Sequence, residues 1–378
     1  MNFKASLNFG EDQHRITNQK LADWPGLVRR LLEVKRAAAL ANEKAGLLTA
    51  DEHQRIHRAC DALKLESFTV DPYSGGGSIL LNTQLNGLIS ESSGVETTRV
   101  NLSQSTADTV ATALRLAGHD ALESLGAQLE ISVSMLSLLG EKLSVHPAMA
   151  RTCLQDAMPT KLGILFTGAA SVLARSSDRI LNSKKSMLQV RLGSTVIGDG
   201  AGAAPAYQAA VIGALSNISG LNLTPSQSFP DAAQNADDWG AFNQNLELLA
   251  ISLIKICKDQ RLLASGPEHG FGEITLPQVI PGSSFFGPAK NNPTIPETVI
   301  QGCFLVLGRT RTALAALEHA ELHLNVFEST AAFSALEAAK ILENSLALWN
   351  SHCLPGISQG PKIQNAISNP SLNHGEKE

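Results

Sequence analysis

Residues 282–293 read GSSFFGPAKNNP, placing Ser283, Ser284, Lys290, Asn291 and Asn292 in a stretch whose glycines and prolines bar a helix or a strand. Hydroxyl, amide and ammonium donors gathered in such a loop suit a small anion. Three more polar clusters share this character: SGGGSILLNTQLN (74–86), NLSQSTAD (101–108) and RTCLQD (151–156). Each is expected to precede a helix, whose first turn offers unpaired N–H groups and partial positive charge, so the four loops together would form an anion-binding cavity. Taken singly, each also reads as an ordinary helix cap or turn.

The elements that would position these loops are helical. Thr49 and Glu52 have capping-box spacing, which starts a helix just after another ends near Gly46. From Asp108 to about Leu143, the apolar positions Val110, Leu114, Ala117, Ala121, Leu125 and Leu129 step by three or four without a proline. Roughly 35 residues at 1.5 Å each would span about 50 Å. Further helices are predicted over about 160–186, 204–218 and 238–264, with one or two over 296–349 broken near Gly308 or Asn325. Strand signals are confined to short runs such as GEITL, and the C-terminal SNPSLNHGEKE is expected to fray. The 238–264 helix carries one stripe through Phe242, Leu246, Leu249, Leu253 and Ile256 and a second through Leu248, Ile251 and Ile254. A helix apolar nearly all round needs burial on most sides, which predicts a bundle completed by other copies of the chain.

Composition narrows the class. The 378 residues are 43% hydrophobic, enough for a large core. With 30 Lys+Arg against 35 Asp+Glu, a net charge of -5 and no basic block, no nucleic-acid or anionic-membrane footprint is expected. Aromatic content of 4% disfavours base stacking. Five scattered cysteines without CxxC or Cys/His spacing predict reduced thiols in a cytoplasmic setting and no metal site. The start MNFKASLNFGEDQ lacks a signal pattern, and no apolar run reaches membrane-spanning length.

Together the four loops resemble the aspartase/fumarase superfamily. GSSFFGPAKNNP is similar to the family loop GSSxMPxKxNP, with one additional residue and no methionine; NLSQSTAD is similar to NxxQS[ST]ND, and RTCLQDAMPTKLG to RTHLQDAxPxxLG. SGPEHGFGEITLPQVIPGSS looks like the approach to the family loop, and KRAAALANEKAGLL like its first helix hairpin. The likeness covers about residues 1–355. It implies an all-α subunit whose long central helices join three others in a homotetramer, each active site drawing loops from three subunits. It further implies an N-terminal helical domain over 1–107, a central bundle domain over 108–345 and a shortened C-terminal domain and tail over 346–378, with no cofactor.

The family removes a proton beside one carboxylate and expels an amine or alcohol from the neighbouring carbon, commonly releasing fumarate. By resemblance, Ser283 is the general base, and Ser105, Thr106 and Ser284 are donors to the carboxylate that carries the developing charge. Thr152, Lys290 and Asn292 would hold the other carboxylate of a small dicarboxylate substrate. In the substrate loop, alignment back from Asn82 sets Ile79 on a family threonine, and a one-residue gap sets Ser78 there instead. Ala107 and Cys153 replace an asparagine and a histidine on the leaving-group side, Glu297 matches the histidine's glutamate partner and would face a thiol or water, and Gly202 replaces another asparagine. Donors for two carboxylates persist while leaving-group contacts are reduced. The expectation is a lyase that eliminates a C–N or C–O bonded group from a succinyl-type substrate, with an N-substituted aspartate favoured, to give fumarate; the alternatives are a non-catalytic helical scaffold or regulatory subunit, and addition of an amine to fumarate.

Overall fold

The computed structural model describes residues 15–76, 78–266, 268–280 and 290–368. In chain order the helices are α1 (Pro25–Lys44), α2 (Ala50–Ala62), α3 (Ile79–Ser93), α4 (Thr97–Val100), α5 (Thr106–Leu143), α6 (Ile164–Ser186), α7 (Pro205–Ser219), α8 (Phe229–Gln234), α9 (Asp237–Leu263), α10 (Thr294–Glu318), α11 (Glu328–His352) and α12 (Pro361–Ser368). Short strands punctuate them: β1 (Pro147–Thr152), β2 (Gln155–Lys161), β3 (Gln189–Val190), β4 (Thr224–Pro225), β5 (Ile274–Thr275) and β6 (Ser358–Gln359). The all-α reading holds. No helix among the described residues is long and apolar enough to cross a membrane.

The chain divides into two compact units: Met1–Leu122, Asn182–Asn243 and Arg309–Glu337 form the first, and Glu123–Leu181, Gln244–Gly308 and Ala338–Glu378 the second. In the first unit α1 turns at Gly46, in left-handed backbone at φ 73°, and α2 follows with Thr49 Oγ1 capping Glu52 N. Helix α1 packs along α7. Phe333 anchors an aromatic cluster, its ring 5.2 Å from Trp24 and 5.4 Å from Tyr73. Gly118 of α5 lets the helix approach Trp239, whose ring would lie 2.9 Å from any Cβ placed there.

In the second unit a buried polar layer joins α5 to α11. Ser132 Oγ donates to Asn350 Oδ1 at 2.7 Å, and Asn350 Nδ2 donates to the Gln128 carbonyl at 2.9 Å. Trp349 Nε1 donates to Gln260 Oε1 at 3.1 Å, linking α11 to α9. The first stripe of α9 is buried as expected, whereas Leu248 and Ile251 of the second stripe are 46% and 49% exposed.

The 296–349 segment breaks between Glu318 and Glu328, near Asn325, one of the two positions expected, while Gly308 lies inside α10. Two expectations need correction. The helix expected from about 160 starts at Ile164 because the preceding residues pair as a hairpin. That hairpin, β1 with β2, was not legible as strands: its residues are mostly exposed and so show no apolar alternation, and its register shifts between Ala150 and Arg151. RTCLQD is therefore a hairpin tip, with Cys153 and Leu154 both in left-handed backbone at φ 52° and 61°, as a tight hairpin turn requires.

Candidate active site

In the first unit, the NLSQSTAD segment ends in the cap of α5. Ser105 Oγ accepts from Ala107 N at 3.2 Å, and Asp108 Oδ1 reaches back to accept from Ser105 N at 3.0 Å. Ser105 thus caps the N2 amide, and Asp108 at N3 reaches back to the N-cap amide. The second oxygen of Asp108 accepts from Gly193 N at 3.0 Å and Thr195 N at 3.1 Å, tying the 191–195 loop to the helix start. Burial pushes the Asp108 carboxyl up to about 6, against the opposing pull of these N–H groups.

The turn before this cap is held by amides and one lysine. Asn101 Oδ1 receives Lys35 Nζ at 3.0 Å and Asn86 Nδ2 at 3.1 Å, and Lys35 Nζ also donates to Gln104 Oε1 at 2.9 Å. Lys35 is 1% exposed, and burial pushes its ammonium down to about 7. Asn82 Nδ2 donates to Thr106 Oγ1 at 3.0 Å. A hydroxyl that accepts on oxygen keeps its proton for another acceptor, so Ser105 and Thr106 both retain a donor for an anion.

Lys35, Asn101 and Gln104 were not singled out from sequence. Lys35 carried a readable signal, since Leu31, Lys35, Ala38 and Asn42 share one face of α1 and all four are buried. Ser78 precedes α3 in left-handed backbone at φ 62° and is 3% exposed, whereas Ile79 is 58% exposed. Ser78, Thr106 and Ala107 line one cavity together with Arg191, Asn325 and Glu328. Arg191 Nη2 donates to the Ala107 carbonyl at 3.1 Å and pairs with Glu328 at 2.6 Å.

In the second unit, Thr152 and Cys153 occupy the exposed hairpin tip. Arg151 secures the hairpin, pairing with Glu273 at 2.6 Å and lying 4.4 Å from the Phe271 ring centre. Glu273 belongs to the segment that leads toward the serine loop. Asn291 Nδ2 donates to the Leu276 carbonyl at 2.8 Å. Lys290 and Asn292 are exposed. Ser283 and Ser284 lie outside the described residues. Glu297, in the first turn of α10, pairs with Arg261 at 3.1 Å.

A lyase family model matches residues 10–308. The chain is 36% identical over 365 residues to an aspartate ammonia-lyase from Pseudomonas canavaninivorans, covering 91% of this chain and 76% of that protein. It superposes on a fumarate lyase:delta crystallin from Brucella melitensis with a TM-score of 0.89 and 32% identity, over 96% of this chain and 81% of the other. A class II fumarase from Schistosoma mansoni shares the fold, with a TM-score of 0.88 and 21% identity over 98% of this chain and 82% of the other. Helical fold, capped donor turn and family match converge on one class. The chain belongs to the aspartase/fumarase superfamily and is a lyase of that superfamily.

Proposed function

We propose that this lyase breaks a carbon–nitrogen bond in a succinyl-type substrate, an N-substituted aspartate, and releases fumarate. The observation that carries the reading is the capped turn of α5, where Ser105 and Thr106 accept from their neighbours on oxygen and keep their hydroxyl protons for a ligand. Ser283 removes the proton beside one carboxylate. The electron pair moves onto that carboxylate, where donors aimed at the developing charge lower the barrier, each by about 3 kcal/mol at comparable oxyanion sites. Ser105, Thr106 and Ser284 fill this role; Thr152, Lys290 and Asn292 hold the distal carboxylate; Ser78 and Asn82 line the substrate loop. The pair then returns to form the double bond as nitrogen departs on the side of Ala107 and Cys153, with Glu297 behind it.

A serine needs help to act as a base near neutral pH, and that help is a closed, water-poor loop with a cation close by. Lys290 supplies the cation. The family relationship to an aspartate ammonia-lyase supports carbon–nitrogen cleavage. Assembly as a homotetramer, with sites shared by three subunits, is part of the same proposal; the exposed Leu248 and Ile251 face of α9 supports it.

The test is ultraviolet detection of fumarate from purified protein given aspartate, malate and N-substituted aspartates. Faster release from an N-substituted aspartate than from aspartate or malate is expected. Plain aspartate or malate as the best substrate would contradict the substituted-nitrogen reading, and inertness toward the whole panel would favour the scaffold.

A further inference from the structure

The hairpin of α1 and α2, in the first unit, carries a pair of histidines that the lyase reading does not use. The segment HQRIH sets His53 and His57 four residues apart, so both imidazoles lie on one face of α2. Their ring centres are 6.2 Å apart and their planes stand at 89°. Four residues along a helix is the spacing at which two imidazoles reach one metal ion. The expected absence of a metal site rested on cysteines and on Cys/His spacing; this pair uses histidine alone.

What holds each ring is a second, independent observation. His53 Nδ1 lies 2.6 Å from Glu43 Oε2, in the last turn of α1, and His57 Nδ1 lies 3.1 Å from Asp61 Oδ2, one turn further along α2. Asp61 is fixed in turn by Arg36, whose Nη1 donates to Oδ1 at 2.8 Å. A carboxylate oxygen accepts, so each Nδ1 carries a proton and the neutral ring keeps its lone pair on Nε2. Neither Nε2 has a hydrogen-bond partner among the described residues. A carboxylate behind Nδ1 fixes the tautomer, aims the ring and makes Nε2 a better donor to a metal, which is how metal-binding histidines are generally held. Here the arrangement occurs twice on one helix face.

We propose that His53 and His57 form a binding site for one divalent transition-metal ion of the zinc or nickel class, ligated through their Nε2 atoms. Imidazole nitrogens select such ions over magnesium and calcium, which take oxygen ligands. Among the described residues no third His, Cys, Asp or Glu joins the pair, so water completes the coordination. Gln54 stands where H-E-x-x-H zinc enzymes carry their general base, so the site binds an ion without hydrolytic chemistry. Because Glu43 reaches His53 from α1, the ion stabilises the hairpin of the two helices against unfolding. The site stands independently of the lyase reading.

The test is calorimetric titration of the metal-free, full-length chain with zinc chloride and, separately, nickel chloride, with the denaturant midpoint measured with and without excess ion. One ion per chain and a raised midpoint are expected, because the folded helix brings the rings together and the unfolded chain does not. His53→Gln and His57→Gln should each lose about ten-fold or more in affinity, and the midpoint shift with it. Glu43→Gln and Asp61→Asn leave both ligands in place and should still weaken binding by about 10- to 100-fold. These two variants carry the test should a histidine variant fail to fold, with circular dichroism as the check. Equal binding by a chain carrying both histidine substitutions would place the ion elsewhere and overturn the site. Binding indifferent to both carboxylate variants, or binding with no shift in midpoint, would mean an adventitious ion only and would overturn it equally.

Discussion

The side-chain amide of Asn82 donates to the hydroxyl oxygen of Thr106 across 3.0 Å. That bond turns the Thr106 proton toward whatever acceptor lies beyond the start of α5. A donor aimed at charge that develops only during proton removal assists the transition state more than the bound substrate. Asn82→Leu should therefore lower kcat more than it raises KM, with a total loss in kcat/KM of about 10- to 100-fold. Steady-state kinetics check this. A pure KM effect would mean that Asn82 serves binding alone.

The Arg151 pair with Glu273 ties the hairpin to the approach of the serine loop. The Glu273 side chain is 8% exposed, so Arg151→Met strands a carboxylate in a nearly dry setting. A destabilisation of about 1–3 kcal/mol is expected in chemical denaturation. Hydrogen exchange at residues 150–156 should quicken in the same variant, while Glu273→Gln, which leaves no buried charge, should do less harm. Unchanged exchange would show that β1 and β2 hold themselves.

Lys35 gives a signature in pH. Its ordinary value of 10.5 falls to about 7 through burial. A folded-state value below the unfolded one means that the unfolded chain binds the extra proton between these limits. The group's contribution is thus fully favourable above 10.5 and is lost as pH falls through 7. Wild-type stability relative to Lys35→Met should rise from pH 7 to pH 10 with a slope of at most about 1.4 kcal/mol per pH unit. Denaturant midpoints for the two proteins, measured across that range, give the slope; a flat difference would contradict it.

Thiol chemistry should separate one cysteine from four. Cys153 is exposed at the hairpin tip, while Cys60, Cys257, Cys303 and Cys353 are buried. Burial pushes Cys60, Cys303 and Cys353 up to about 12, which removes the reactive thiolate near neutral pH. A colorimetric thiol reagent should titrate one group per native chain and five after denaturation, the extra groups being the buried four. Loss of the fast phase in Cys153→Ala would assign it.

Much of this architecture was legible before any coordinates. Regular three- and four-residue spacing marked α5, and the Thr49/Glu52 pair marked the start of α2, because both signals are local. The β1–β2 hairpin was hidden for the opposite reason: exposed strands need no alternation, and left-handed Cys153 and Leu154 are not glycines, so the turn carried no usual mark. For the site, the hydroxyl and amide cluster of NLSQSTAD pointed to the α5 cap, because that motif is local, whereas Ser78 and Ile79 stayed alternatives until their burial, 3% against 58% exposed, distinguished them. The Arg261 partner of Glu297 and the Arg191 bridge between Ala107 and Glu328 depend on residues distant in sequence, which spacing cannot reveal.

The account turns on the Ser283 oxygen, in its deprotonated form, taking the proton and becoming a hydroxyl. Replacing it in Ser283→Ala and following fumarate release under saturating substrate tests this most directly, with circular dichroism and the oligomeric state monitored alongside. Loss of turnover by about 100-fold to 10,000-fold in a folded, assembled protein is the result predicted for a general base. Turnover within a few-fold of wild type would contradict the account and move the proton to another residue.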